Sequence, residues 1–118
     1  MDGLYQFLAF DWDKFSCGKV FEIKSVRKWF DFNDKSKELG TNVEVIIVQD
    51  DTEYKTKDGT TITNLYEKFS FKLEKPISEV KFVPGELVEP VNPRATIYGK
   101  YRDSLSVRVD DLITSPKL

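Results

Sequence analysis

The sequence contains no histidine and a single cysteine among its 118 residues. Histidine is the commonest general base near neutral pH, so its absence argues against acid–base catalysis. Cys17 cannot form an internal disulfide, which favours a reducing compartment, and we expect its side chain to be buried or half-buried. The sequence also lacks a Gly-rich phosphate loop, Cys/His metal-ligand spacing and a nucleophile elbow. We therefore predict a protein that is not an enzyme and uses no metal or other cofactor.

Long apolar runs are missing as well. No stretch approaches the 18 or so residues that a membrane-spanning helix needs. The start Met1-Asp2-Gly3 lacks the basic and apolar segments of a secretory signal. We expect a cytoplasmic protein with no membrane association and no small-molecule substrate. The length fits one domain over residues 1–118, with residues 114–118 as a loose tail.

What the sequence does contain is 14% aromatic residues and several stretches in which apolar and polar residues alternate. A period of two is typical of a strand with one face in the core and the other in water. The alternation and its flanking turns predict strands at residues 4–10, 19–32, 41–50, 64–74, 95–101 and 105–109. Residues 76–83 fit either a short strand or a helical turn. The predicted fold is all-β, a small, partly open OB-like barrel of five or six strands, with a β-sandwich as the alternative.

Basic residues lie next to aromatic residues at two places, although 18 basic and 20 acidic side chains give a net charge of −2. Single-stranded nucleic acid is bound by cations that follow its phosphates and by rings that stack on its bases. A chain of this charge must gather its cations on one face to bind nucleic acid. The candidate residues are Arg27, Lys28, Trp29, Lys68, Lys72, Arg94, Tyr98, Lys100 and Arg102.

Each candidate also has a structural interpretation. Trp29 can belong to the core or its rim, and Tyr98 can cover a sheet edge. Alternating lysines on an outward strand face are common as protection against aggregation. Arg94 can pair with Asp110 or Asp111 and hold two strand ends together instead of contacting a phosphate.

The segment VNPRATIYG, followed by a turn and SVRVDDL, resembles the C-terminal signature of a small family carried by conjugative elements of Gram-positive bacteria. FSCGKVFE, after residues 11–14, is similar to that family's N-terminal pattern. The family is known largely as conserved domains of unknown function, and its best-understood type is a helicase processivity factor. The resemblance implies an OB-like barrel and an accessory role in conjugative-element replication and transfer. Single-stranded DNA and a host helicase or relaxase would then be the partners.

A second class of function remains open, in which the protein is an adaptor that contacts other proteins and does not bind nucleic acid. The near-neutral charge favours this hypothesis. The expected contact is the outer side of Ile46 and Val48, or a hairpin over residues 50–63 that projects around the Asp58-Gly59 turn.

Overall fold

The computed structural model describes residues 1–54, 56, 58–100 and 104–116. Their strands are β1 (Lys19–Phe30), β2 (Glu38–Asp50), β3 (Lys68–Leu73), β4 (Leu87–Val91), β5 (Arg94–Tyr98), β6 (Ser104–Val109) and β7 (Asp111–Thr114). The short helical elements are a 3₁₀ helix at Leu4–Phe7, α1 (Trp12–Ser16) and a 3₁₀ turn at Ile77–Glu79. The all-β prediction is confirmed.

One mixed sheet contains all of these strands in the order β5-β6-β3-β2-β1-β4-β7. Strands β1, β2 and β3 form an antiparallel meander, and β6 runs parallel to β3. On the other side of the meander, β4 pairs with the first half of β1. The second half of β1 therefore pairs with β2 alone among the described residues.

The four last strands form one long bent hairpin. Its first arm is β4 followed by β5, and its second arm is β6 followed by β7. One register runs through both halves, from Val88 opposite Thr114 to Tyr98 opposite Ser104. The first arm bends at Asn92, whose φ of +50° lies in the left-handed region. The hairpin thus supplies both edge strands of the sheet, β5 at one edge and β7 at the other. The described residues show no pairing between β5 and β7.

Several details of the predicted barrel need correction. The described sheet has seven strands instead of five or six, since β4 and β7 were not among the predicted strands, and it is not closed into a barrel. Residues 4–10 do not form a strand, and residues 76–83 contain the 3₁₀ turn. The described residues between 50 and 68 form no strand, which corrects the predicted hairpin at those positions.

The C-terminal end is more ordered than predicted. Thr114 closes β7, and the buried Ser115 donates its backbone N–H to Leu87 O over 2.9 Å. Of the predicted loose tail, residues 117 and 118 lie outside the described residues. Cys17 is exposed, which corrects the expectation that it would be buried or half-buried.

The core is built around aromatic rings. Asp11 caps α1 by accepting a hydrogen bond from the Lys14 N–H at 3.1 Å, and this cap directs Trp12 inward. The Trp12 ring lies 5.6 Å from that of Phe21 and 5.8 Å from that of Phe71. Such tilted and edge-on ring pairs add about 0.5–1.5 kcal/mol each beyond their buried area. The short helix therefore packs against the core side of the sheet through Trp12.

The bend where β2 begins requires glycine. Gly40 has a φ of +154°, and a Cβ atom there would lie 2.0 Å from Leu73 O. Glycine lets the backbones of β2 and β3 approach closely at this point. Gly40 is also the residue opposite Trp29 on β1, so the bend lies beside the face described below.

A buried ion pair anchors the loop between β2 and β3. Lys19 Nζ lies 3.2 Å from Asp50 Oδ1, and neither side chain is exposed. Asp50 Oδ2 also accepts hydrogen bonds from the Tyr54 hydroxyl at 2.8 Å and the Asn64 N–H at 2.8 Å. Because both ends of the loop bind one carboxylate, the loop folds back over the ion pair.

Candidate nucleic-acid interface

The sheet register brings most of the predicted binding residues to one face, the polar face. It is the outward side of the second half of β1 together with β2, β3, β6 and β5. Residues directly opposite each other in a sheet share a face, and every second residue along a strand joins them. Core side chains such as Val43, Phe71 and Val107 point the other way.

A single row of paired residues crosses this face over five strands. In strand order it consists of Arg27, Asn42, Lys72, Arg108 and Arg94. Neighbouring strands lie about 4.8 Å apart, so the row is roughly 19 Å long. Four cations thus follow one line, at a spacing that a phosphate backbone can track.

The middle of the row surrounds Trp29. Lys72 Nζ lies 5.6 Å from the centre of the Trp29 ring, and the Arg108 guanidinium carbon lies 5.3 Å from it. Both distances fall within the range of cation–π attraction. The indole therefore contacts two cations, and its half-buried state fits a residue at the rim of the core better than one within it.

Lys72, Arg108 and Arg94 line a groove of about 670 Å³, the cation groove. Thr96, Tyr98 and Ser106 complete its lining, and no carboxylate takes part. Arg94 and Arg108 are directly opposite each other, an arrangement that repulsion makes unfavourable without a counter-charge. This excess of positive charge makes the groove suitable for an anion.

Arg94 has a partial counter-charge. Its Nη1 atom lies 3.0 Å from Asp110 Oδ1, so the predicted pairing with Asp110 is confirmed. Hydrogen bonds from the side chains of Asn92 and Arg94 hold the pKa of Asp110 below its usual value. Arg27 lies 3.9 Å from Glu44 Oε2, a longer contact. Among the described residues, Lys72 and Arg108 have no carboxylate partner.

A second groove of about 840 Å³, the aromatic groove, adjoins the first near the start of β3. Its apolar lining consists of Phe10, Phe15, Ile47, Phe69, Ile97 and Leu105. The register puts Phe69, Ile97 and Leu105 on the core side of the sheet, so this groove takes residues from both sides. Lys68 and Tyr98, both predicted, lie at this groove. Tyr98 is 57% exposed, so its ring is accessible.

Two of the predicted residues that the structure describes are not brought into this arrangement. Lys28 is paired with the buried Thr41 and points away from Arg27 and Trp29. Lys100 is exposed in the turn after β5. Arg102 lies outside the described residues. Arg108 is the residue that the prediction missed, although its alternation with Val107 and Val109 already placed it on the outward face.

The fold and this face define a small all-β domain with one open mixed sheet and a basic strip across its outer side. No protein-family model, curated protein or solved structure matches the chain. Among the described residues, no helix has the length and apolarity to cross a bilayer.

Proposed function

We propose that this protein is a non-enzymatic, cytoplasmic accessory factor that binds single-stranded DNA through its polar face. The observation that carries the proposal is the cation groove, where Lys72, Arg108 and Arg94 lie on three adjacent strands in one register. The absence of a carboxylate from its lining favours an anionic ligand. A phosphodiester backbone is the anion whose repeat suits a row of cations.

The proposal extends to an OB-like architecture. An antiparallel meander, a 3₁₀ turn before β4 and a bent hairpin that returns to both sides of the meander support it. In OB domains the second and third strands and the loops beside them form the binding face. Here β2 and β3 contribute Asn42 and Lys72 to the cation row.

The binding mechanism divides between charge and stacking. Phosphates would displace the counterions of Lys72 and Arg108, so affinity would fall as salt rises. Bases would stack on Tyr98, and on the Trp29 ring once its two cations turn towards phosphates. Each stacked base contributes about 1–3 kcal/mol and shows little sequence preference.

The biological setting of the proposal comes from the resemblance to helicase processivity factors of conjugative elements. A protein that holds the displaced strand would keep it from reannealing behind a host helicase. This role needs sequence-tolerant binding, which stacking and phosphate contacts provide.

Tryptophan fluorescence tests the binding site directly. The chain has two tryptophans, of which Trp12 is buried in the core and Trp29 lies under the cations. Oligo-dT is expected to quench the wild type at low salt, whereas Trp29→Phe, which retains only Trp12, should show almost no quenching. Equal quenching in both proteins would place the ligand elsewhere. No quenching and no mobility shift in the wild type would overturn the proposal.

The adaptor function remains the second candidate, because the N-terminal segment exposes Leu4, Phe7 and Leu8, with Phe7 77% exposed. This exposed N-terminal surface differs from the predicted contact on the outer side of Ile46 and Val48, because both of those residues are half-buried. A pull-down with the host helicase, with and without nuclease, distinguishes the two functions. Capture that survives nuclease and is lost in Phe7→Ser favours the adaptor; capture that nuclease abolishes favours the DNA-binding function.

A further inference from the structure

The two grooves differ in charge. Lys68 and Lys72 line the aromatic groove, but so do Glu44 and Glu67, and the lining is therefore balanced. The cation groove has three basic side chains and no acidic one. A phosphate is attracted to the cation groove and gains little in the aromatic groove. An uncharged, flat and apolar group has the opposite preference.

The chemistry of the aromatic groove suits such a group. The Phe15 and Phe69 rings lie 6.4 Å apart and edge-on, and Phe10 lies 5.1 Å from Phe15. Its volume of about 840 Å³ falls within the range of sites that bury small ligands, about 300–1,000 Å³. Asn42 also lines this groove, and its Oδ1 atom has no hydrogen-bond partner among the described residues.

The two grooves are continuous. Lys72, Tyr98 and Ser106 line both of them. One ligand can therefore occupy both if it carries an anionic backbone and an uncharged ring at a short distance from each other. A nucleotide strand has this composition, whereas an apolar peptide lacks the anions and a bare polyanion lacks the rings.

We infer that the aromatic groove takes an unstacked nucleobase from a single strand whose phosphates lie in the cation groove. The inference rests on the proposed function and adds to it a separate site for an unstacked base. Duplex DNA is excluded from this mode because its bases are paired and stacked. The protein thus selects single strands through the base, while the charge of the cation groove contributes affinity without this selectivity.

Oligonucleotides of equal charge test the inference. Oligo-dT is compared with an abasic oligomer of the same number of phosphates, by fluorescence anisotropy at low salt. The abasic oligomer should bind at least about fivefold more weakly, since one lost stacked base is worth about 1–3 kcal/mol, or roughly 5- to 150-fold. Equal affinity would overturn the base site in the aromatic groove and the stacking on Tyr98 and Trp29, and would leave only phosphate binding by the cation groove. Failure of both oligomers to bind would overturn both the inference and the proposed function.

A matched pair of variants locates the effect. Ile97 and Ile113 lie on the edge strands β5 and β7 and are 43% and 50% exposed, but only Ile97 lines the aromatic groove. Ile97→Gln should weaken oligo-dT binding severalfold and leave the abasic oligomer unchanged. Ile113→Gln should change neither. An equal loss in both variants, or no loss in Ile97→Gln, would contradict the inference.

Discussion

Tyr66 has a backbone φ of +68° and a side chain that is 67% exposed. It lies in a bulge at the start of β3, because Ile47 O accepts the Tyr66 N–H at 2.7 Å while Ile47 N donates to Glu67 O at 3.0 Å. Glycine is the usual residue at such a left-handed position, and any L-residue there costs about 1–2 kcal/mol. The exposed Tyr66 ring buries little apolar area, so its packing offsets little of this cost.

The variant with glycine at position 66 should therefore be more stable than the variant with alanine there. We expect Tyr66→Gly to exceed Tyr66→Ala by about 1 kcal/mol in the free energy of unfolding, because only glycine relieves the strain. Urea denaturation of the two variants measures the difference.

Tyr98 supplies the control, since it is also exposed but lies in the regular strand β5. There alanine should be the more stable residue by about 0.5–1 kcal/mol. The same order at both positions would show that Tyr66 is not strained.

Single residues also show what the sequence could reveal about the site. Arg27, Lys28 and Trp29 are consecutive, and adjacent side chains on a strand point to opposite faces. Applied to the sequence, this rule puts Lys28 on the face opposite to Arg27 and Trp29. It also puts Arg108 on the outward face, although the predicted site contained Lys28 and omitted Arg108. The contact of Trp29 with Lys72 and Arg108 could not be predicted, because it depends on the register of three strands that are distant in sequence.

At the scale of elements, the loop between β2 and β3 depends on the Asp50 carboxylate. Burial would raise the pKa of Asp50, but hydrogen bonds from Asn64, Tyr54, Thr52 and Lys19 outweigh it and hold the pKa well below its usual value. The stability that this group contributes is fully present above the unfolded pKa of about 3.9 and is lost as the pH falls through the folded pKa.

Asp50→Asn should destabilise the protein by about 3–5 kcal/mol at pH 7, because it leaves the Lys19 ammonium buried without its counter-charge. Its stability should also fall less steeply below pH 4 than that of the wild type. Thermal or urea unfolding between pH 2.5 and 7 measures both effects.

The neighbouring Asp51 is exposed, so Asp51→Asn is the matched control and should follow the wild-type profile. A wild-type acid profile in Asp50→Asn would show that this ion pair does not determine the acid stability.

Other elements show where the sequence pattern was sufficient. The alternation predicted β1, β2, β3 and β6 because each has one face in the core, and it predicted β5 although that strand has no buried residue. It missed β4 and β7, since Pro90 interrupts one and the other has only four residues. It wrongly assigned residues 4–10 to a strand, because an apolar run of that length fits a strand or a segment near the core equally well.

At the scale of the whole molecule, a net charge of −2 does not describe the surface that a ligand meets. The cation groove gathers three basic side chains and no acidic one. The acidic side chains lie elsewhere, and some pair with other cations, as Asp111 does with Lys75 at 3.0 Å. Affinity for a polyanion then depends on a few contacts and on salt, not on total charge.

The salt dependence of oligo-dT binding in two charge variants tests this account most directly. Lys72→Gln and Lys28→Gln remove the same charge, but only Lys72 lies on the polar face. For three phosphate contacts, the logarithm of the wild-type binding constant should fall against the logarithm of the salt concentration with a slope of about −2. Lys72→Gln should weaken binding and flatten the slope by about 0.7, while Lys28→Gln should leave both unchanged. Equal effects of the two variants, or a slope near zero in the wild type, would contradict a strand-binding polar face.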